Sequence, residues 1–367
     1  MPDQHASALH PRLVRLIEAE GPMPVSDYMA RCLGDPEHGY YMQADPFGRS
    51  GDFITAPEVS QLFGEILGAW VVHAWEAIGA PDRVALVEFG PGRGTLSADM
   101  LRVARLRPAF LGALTLHLVE TSPRLRATQN QTLANCGAAI DWHDSTATLP
   151  DDVPLLIVAN EFFDALPIRQ FVRDRSAWRE RCIGLDDRGA LRFQAGLATL
   201  DDTDLPPHLK SAPDGAVLET QPVANAILQD LAERLARQGG TALVIDYGYA
   251  QTAVGETLQA VRNHRPVPVL GTPGEADLTA HVNFEAFARA AHCPPVSARP
   301  LMTQGDFLLR LGLLERAGQL GAGRSSGVQD GIRDDVERLA APDQMGNLFK
   351  VMALAPAGIR LAAFDEA

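Results

Sequence analysis

The chain has 367 residues, 46% of them hydrophobic and 21% charged, enough for one large α/β core with additions and too apolar for a disordered chain. Its formal net charge of −14 argues against tight, nonspecific binding to nucleic-acid backbones, which needs clustered Lys and Arg, and leaves cationic partners open. Cys32, Cys136, Cys182 and Cys293 lack the close spacing of a zinc or redox motif. No metal is therefore expected, and the thiols read as small core residues in a reducing compartment. No apolar run approaches the ~18 residues of a membrane span. Residues 1–16 lack the apolar core of a secretory signal, and the early Asp3 is out of place in a mitochondrial presequence, so the expected location is cytoplasmic.

In chain order, residues 1–80 read as a helical cap broken by one loop. A short helix is expected over 11–20 and a second, N-capped by Ser26, to about residue 33. Gly and Pro in residues 43–58 forbid regular structure there, and such a loop before a long helix is expected to act as a lid. The long helix is placed at 58–78, with Leu62, Phe63, Ile66, Trp70 and Ala74 forming a core stripe. From Arg83 short apolar runs alternate with helical stretches, the mark of βαβ units and a parallel sheet. Strands are expected at 84–89, 114–119, 153–159 and 241–246, with helices at about 95–107, 123–135 and 222–238. Residues 168–193 read as an inserted β-meander with turns at 173–176 and 186–189. Helices near 284–291 and 307–319, a Gly/Ser-rich mobile linker at 322–327, and a strand at 348–353 complete the pattern. The expected division is a cap over 1–80 and a sheet domain over 81–367, with the β-insertion at about 168–195.

Where the first strand turns into a helix stands Glu88-Phe89-Gly90-Pro91-Gly92-Arg93-Gly94. Glycines allow a ligand to approach the backbone, and the helix N-terminus beyond favours a carboxylate. A dinucleotide fingerprint counted from Gly90 would end in Gly or Ala, whereas this chain has Thr95. With Glu88 upstream, the turn favours S-adenosylmethionine over NAD. Glu120, ending the second strand, is placed to accept hydrogen bonds from the ribose hydroxyls, the alternative being an ordinary solvated Glu. Asp144, near the end of a third strand, is placed at the adenine amino group, with Trp142 and His143 read as structural and Trp142 alternatively lying on the adenine face.

After the fourth strand comes Asn160-Glu161-Phe162-Phe163-Asp164-Ala165-Leu166-Pro167. Ligands of open α/β sheets bind beyond the carboxyl ends of strands, so this loop should border the transferred methyl group, with Asn160 among the donor-binding residues. The alternative is a turn with Asp164 as a cap.

Six ordered stretches resemble the MidA-like methyltransferases: residues 51–58, the turn at 88–94, residues 119–123, 160–167 and 246–249, and Asp277-Leu278-Thr279-Ala280-His281-Val282-Asn283-Phe284. One departure is Asn283, where many relatives carry Asp. The resemblance, spanning about residues 10 to 355, implies a Rossmann-like class I methyltransferase sheet and S-adenosylmethionine as cofactor. Mitochondrial members of the family are complex I assembly factors of the matrix that methylate an arginine of the 49-kDa subunit, so a protein-arginine acceptor of that kind is implied.

A guanidinium is a poor nucleophile, its proton held above pKa ~12. Paired carboxylates can orient it and take the departing proton. Glu161 and Asp164 are the expected pair, with Asp52 and Glu58 as possible partners from the cap loop. Phe162 and Phe163 are placed to stack on the cation, His281 is an alternative general base, and Tyr247 with Tyr249 forms a pocket wall or simple packing. Competing readings are a small-molecule methyltransferase, a NAD-dependent oxidoreductase, and a non-catalytic assembly factor that binds the donor.

Overall fold

The structure, a computed structural model, describes residues 7–43, 55–175, 177–201, 203 and 205–365. Contacts divide the chain into two units, and the division does not follow a cut near residue 80. One comprises Ile54–Phe163, Ala226–Gly248 and Phe287–Ala367; the other comprises Met1–Phe53, Asp164–Asn225 and Tyr249–Ala286.

The first unit holds the main sheet. The strands along its main path are Val84–Phe89, Leu114–Val119, Ala139–His143, Leu155–Asn160, Gly240–Tyr249, Val296–Ala298 and Phe349–Pro356. Numbered in that order they lie side by side as 3-2-1-4-5-7-6. The first five run parallel, and Phe349–Pro356 runs antiparallel to Gly240–Tyr249. Val84–Phe89 and Leu155–Asn160 are buried at every position, as expected for parallel strands covered on both faces. Ala139–His143, at the edge, is exposed at Ala139 and Asp141.

The expected stripe Leu62, Phe63, Ile66, Trp70 and Ala74 is buried in the core. The expected helix over 58–78 is two helices, Ala56–Val59 and Gln61–Ala77. Extended Ser60 breaks it, its hydroxyl capping Leu62 N at 3.4 Å. Gln61–Ala77 approaches the next helix so closely that a Cβ at Gly68 would lie 2.9 Å from Met100 Cα. That packing places it in the sheet unit and not in a separate cap.

The stretch expected as one helix over 307–319 is also divided, into Gln304–Arg310 and Leu313–Gly321, at Gly312 with φ +88°. Helix Ser326–Ala340 is not evident in the sequence, since Gly327 and Gly331 are poor helix formers. Ile332, Val336, Leu339 and Ala340 pack against the core and hold it.

In the second unit helices His10–Glu20 and Val25–Gly34 pack on an antiparallel sheet. The expected meander is present as Arg169–Asp174, Ala177–Leu185 and Leu191–Leu200. Two further strands, Met23–Pro24 and Val217–Thr220, extend it beyond the expected bounds. The second expected turn is closed by Asp186, whose carboxylate accepts from the N–H of Arg188 and of Ala190. No helix among the described residues is long and apolar enough to cross a membrane.

Candidate functional site

Val84–Phe89 and Leu155–Asn160 are parallel neighbours at the point where strand order reverses, which is where open α/β sheets bind ligands. The turn leaving Val84–Phe89 needs its glycines. Gly90, Gly92 and Gly94 have φ of +60°, +53° and +83°, and Gly94 caps helix Thr95–Ala104. A Cβ at Gly90 would lie 3.0 Å from Phe162 Cδ2.

Glu88 is buried, and its carboxylate accepts from the Ser97 hydroxyl. Burial pushes this carboxyl up from 4.5 to about 7, with the Ser97 hydrogen bonds pulling the other way. A raised carboxyl makes folding most favourable below pH 4.5 and progressively less so as pH rises through about 7. Unfolding free energy should therefore fall by about 3 kcal/mol over that window on account of this group. In Glu88→Gln that part of the slope should vanish, as urea titrations at pH 5 and pH 8 will measure. An unchanged slope would show that Glu88 titrates normally.

Glu120 is buried at the end of Leu114–Val119. Its Oε1 accepts from Ser122 N at 2.7 Å and its Oε2 from Gln129 Nε2 at 3.2 Å. Burial raises its pKa, and these donors work against that rise. Asp144 directly follows the neighbouring strand, with its side chain 81% exposed and ion-paired to Arg126 at 2.6 Å. Arg126 also donates through Nε to the Glu120 carbonyl at 2.7 Å. Trp142 is half-buried and donates to Gln129 Oε1 at 2.9 Å. His143 and His117 are hydrogen-bonded ring to ring at 2.9 Å, and burial lowers the pKa of both. His143 is thus structural.

The loop after Leu155–Asn160 has an unusual backbone. Glu161 has φ +49°, a left-handed conformation uncommon for a non-glycine residue. Among the contacts that hold it, Glu161 N donates to Ile245 O at 2.9 Å, and Glu161 Oε1 accepts from Ala56 N at 2.8 Å and Asn160 Nδ2 at 3.1 Å. Asp246, wholly buried, anchors the far side of the loop by accepting from Phe163 N at 3.0 Å and Tyr247 N at 3.0 Å. In the sequence the 246–249 stretch draws notice for its tyrosines, and nothing local marks Asp246 as the anchor.

The two phenylalanines separate in role. Phe163 is fully buried, edge-on to Phe287 at 5.1 Å, so it is a core residue and not a stacking surface, contrary to the expectation for it. Phe162 is only partly buried, with its ring 5.3 Å from that of Phe89. Tyr247 likewise packs in the core, 5.4 Å from Phe349.

Glu58 is already engaged, accepting from the Thr95 hydroxyl at 2.6 Å with the Arg93 guanidinium 4.0 Å away. It ties helix Ala56–Val59 to the donor turn. Asp52 lies outside the described residues.

Phe163 ends one stretch of the sheet unit, and Asp164 opens a stretch of the other. Within that second unit Asp164 is buried, and its carbonyl accepts from Ala280 N at 3.0 Å, next to His281. His281 is half-buried, with its N–H on Thr257 Oγ1 at 2.8 Å and its carbonyl on Gln221 Nε2 at 3.2 Å. Nearby, Tyr41 donates to Asp277 at 2.9 Å, and burial raises the Tyr41 pKa.

These residues fit S-adenosylmethionine. The glycine turn leaves bare backbone where a Cβ would crowd Phe162. The buried Oδ1 of Asn160 has no hydrogen-bond partner among the described residues, so it calls for a donor such as an ammonium group.

Comparison with known proteins agrees. Residues 66–298 match the family model of S-adenosyl-L-methionine-dependent methyltransferases. A relative of Mus musculus named "Protein arginine methyltransferase NDUFAF7, mitochondrial" is 36% identical, covering 94% of this chain and 83% of its own length. Its namesake of Danio rerio is 35% identical, covering 93% and 85%. A Burkholderia thailandensis protein crystallised bound to S-adenosyl-homocysteine superposes with a TM-score of 0.85 at 30% identity, over 98% of this chain and 95% of that one. With sheet order, glycine turn and relatives all in agreement, the chain belongs to the MidA-like family of S-adenosylmethionine-dependent methyltransferases.

Proposed function

We propose that this enzyme methylates an arginine side chain of a protein, the counterpart of the complex I 49-kDa subunit. The observation that carries the reading is the Glu161 carboxylate, held in left-handed backbone at the carboxyl end of Leu155–Asn160 by two N–H donors. Strain at a non-glycine residue, kept in place by surrounding contacts, is characteristic of functional positions. The names of the relatives, protein arginine methyltransferases, support the acceptor class. The subunit rests on the family resemblance alone.

In this reading Gly90, Gly92 and Gly94 line the methionine end of the donor, Asn160 Oδ1 takes its ammonium, Glu120 its ribose hydroxyls and Asp144 its adenine amino group. The bound donor supplies an electrophilic methyl group on a sulfonium. Glu161 orients the guanidinium and draws its charge toward the far nitrogens, so the near nitrogen can attack in line. Glu161 accepts the proton that nitrogen loses. Phe162 presents the partly open aromatic face. Glu58 holds the donor turn through Thr95. A cytoplasmic location is part of the same proposal, and cell fractionation tests it.

The deciding experiment is mass spectrometry of that subunit from cells with and without the gene. Arginine methylation should disappear in its absence and return with the unaltered chain. Persistent methylation would rule out this acceptor. A small-molecule substrate would then show as donor turnover with cell extract stripped of protein, and a non-catalytic assembly factor as donor binding without turnover.

A further inference from the structure

Behind the glycine turn lies one residue that no motif singles out. Gln129, on helix Pro123–Thr132, is wholly buried. Its amide nitrogen donates to the Gly92 carbonyl at 2.8 Å and to Glu120 Oε2 at 3.2 Å, and its amide oxygen accepts from Trp142 Nε1 at 2.9 Å. The orientation of the amide is forced. The indole N–H can only donate and so must face the oxygen, while the Gly92 carbonyl can only accept and so must face the nitrogen. Both amide hydrogens are thereby used. A single side chain thus joins the ends of three consecutive parallel strands at the glycine turn, the strand-end acid and the edge-strand tryptophan.

We propose that Gln129 is a positioning residue of the donor pocket, acting through Glu120 and setting how that carboxylate meets the ribose. The proposal rests on the reading of Glu120 as the ribose-binding acid. Ser122 N fixes one carboxylate oxygen and Gln129 the other, so the plane of the carboxylate is determined from both ends. A carboxylate oxygen can take more than one hydrogen bond, so each remains able to accept a ribose hydroxyl. A buried carboxylate resists ionisation, and the Gln129 N–H is among the groups that oppose this. Without it, Glu120 would be a weaker and less directed acceptor. Arg126 is separately committed to the Glu120 carbonyl and to Asp144, so it does not substitute.

The test is calorimetric binding of S-adenosyl-homocysteine and of its 2′-deoxy analogue to the full chain. The unaltered protein should prefer the hydroxylated ligand by about tenfold, the worth of a hydrogen bond to a charged group. Gln129→Met, close in volume and without polar atoms, should lose most of that preference while binding the deoxy analogue within about twofold of the unaltered chain. Gln129→Glu keeps size and the acceptor for Trp142 but removes the N–H donors, and should lose the preference too. Equal weakening of both ligands, or an unchanged preference, overturns the proposal. Loss of the cooperative thermal transition in both variants overturns it as well, since Gln129 would then be a folding residue. The reading of Glu120 fails separately, if Glu120→Ala retains the preference.

Discussion

Replacing Glu161 by Gln is expected to slow methyl transfer about a hundredfold to ten-thousandfold, the usual contribution of a positioned acid or base. Binding of S-adenosyl-homocysteine should stay within about twofold of the unaltered chain, because the interaction removed is made with the acceptor in the transition state. The variant is well suited to the question. Gln keeps the Oε1 acceptor that holds the N–H of Ala56 and the amide of Asn160, so the left-handed turn has no reason to relax. What disappears is the charge that orients a guanidinium and the site that takes its proton. Asp164→Asn should act in the same direction. Transfer is measured with labelled donor and the purified subunit. Activity of Glu161→Gln within about threefold of the original would remove Glu161 from the chemistry and leave it a loop anchor.

The second large effect concerns the donor turn. Gly90→Val should weaken S-adenosyl-homocysteine binding by about a hundredfold, from two independent causes of roughly 1–3 kcal/mol each. Gly90 has φ +60°, which a β-branched residue adopts only under strain, and its Cβ would stand 3.0 Å from the Phe162 ring. Displacing Phe162 would also disturb the loop that carries Glu161. Gly90→Ala, without branching, should lose less. Calorimetry of the two variants beside the unaltered chain measures the order, and equal affinity for all three would show that the ligand does not lie against this turn.

Much of the site unit is legible in the sequence because its signals are local. Strands 84–89 and 114–119 and helix 222–238 are expected at their observed bounds. Buried parallel strands read as unbroken apolar runs, and Pro222 marks a helix start. The glycine turn is legible for the same reason, since a left-handed backbone leaves its trace in residue type.

What the amino-acid order could not disclose is whatever depends on partners distant in the chain. Phe162 and Phe163 are chemically identical neighbours, and contacts far along the chain, such as Phe287 at 124 positions after Phe163, accompany the burial of one of them. The carboxylate of Asp246 reaches Phe163 across 83 positions, and that of Glu58 reaches Thr95 across 37, so neither bond leaves a periodic mark. In Gln129-Asn130-Gln131 nothing tells one amide from another until the fold buries Gln129 beneath three strand ends. The observed units depart from a cut near residue 80 for a related reason. Helix Gln61–Ala77 joins the sheet unit because Gly64 and Gly68 let its backbone approach Asp99 and Met100. Sequence by itself determined the fold class, the donor turn and the candidate acids, all of which rest on residue type and local spacing. Tertiary structure alone decided which of those groups are buried and which are held by others, because burial and hydrogen-bond partnership are properties of pairs far apart in sequence.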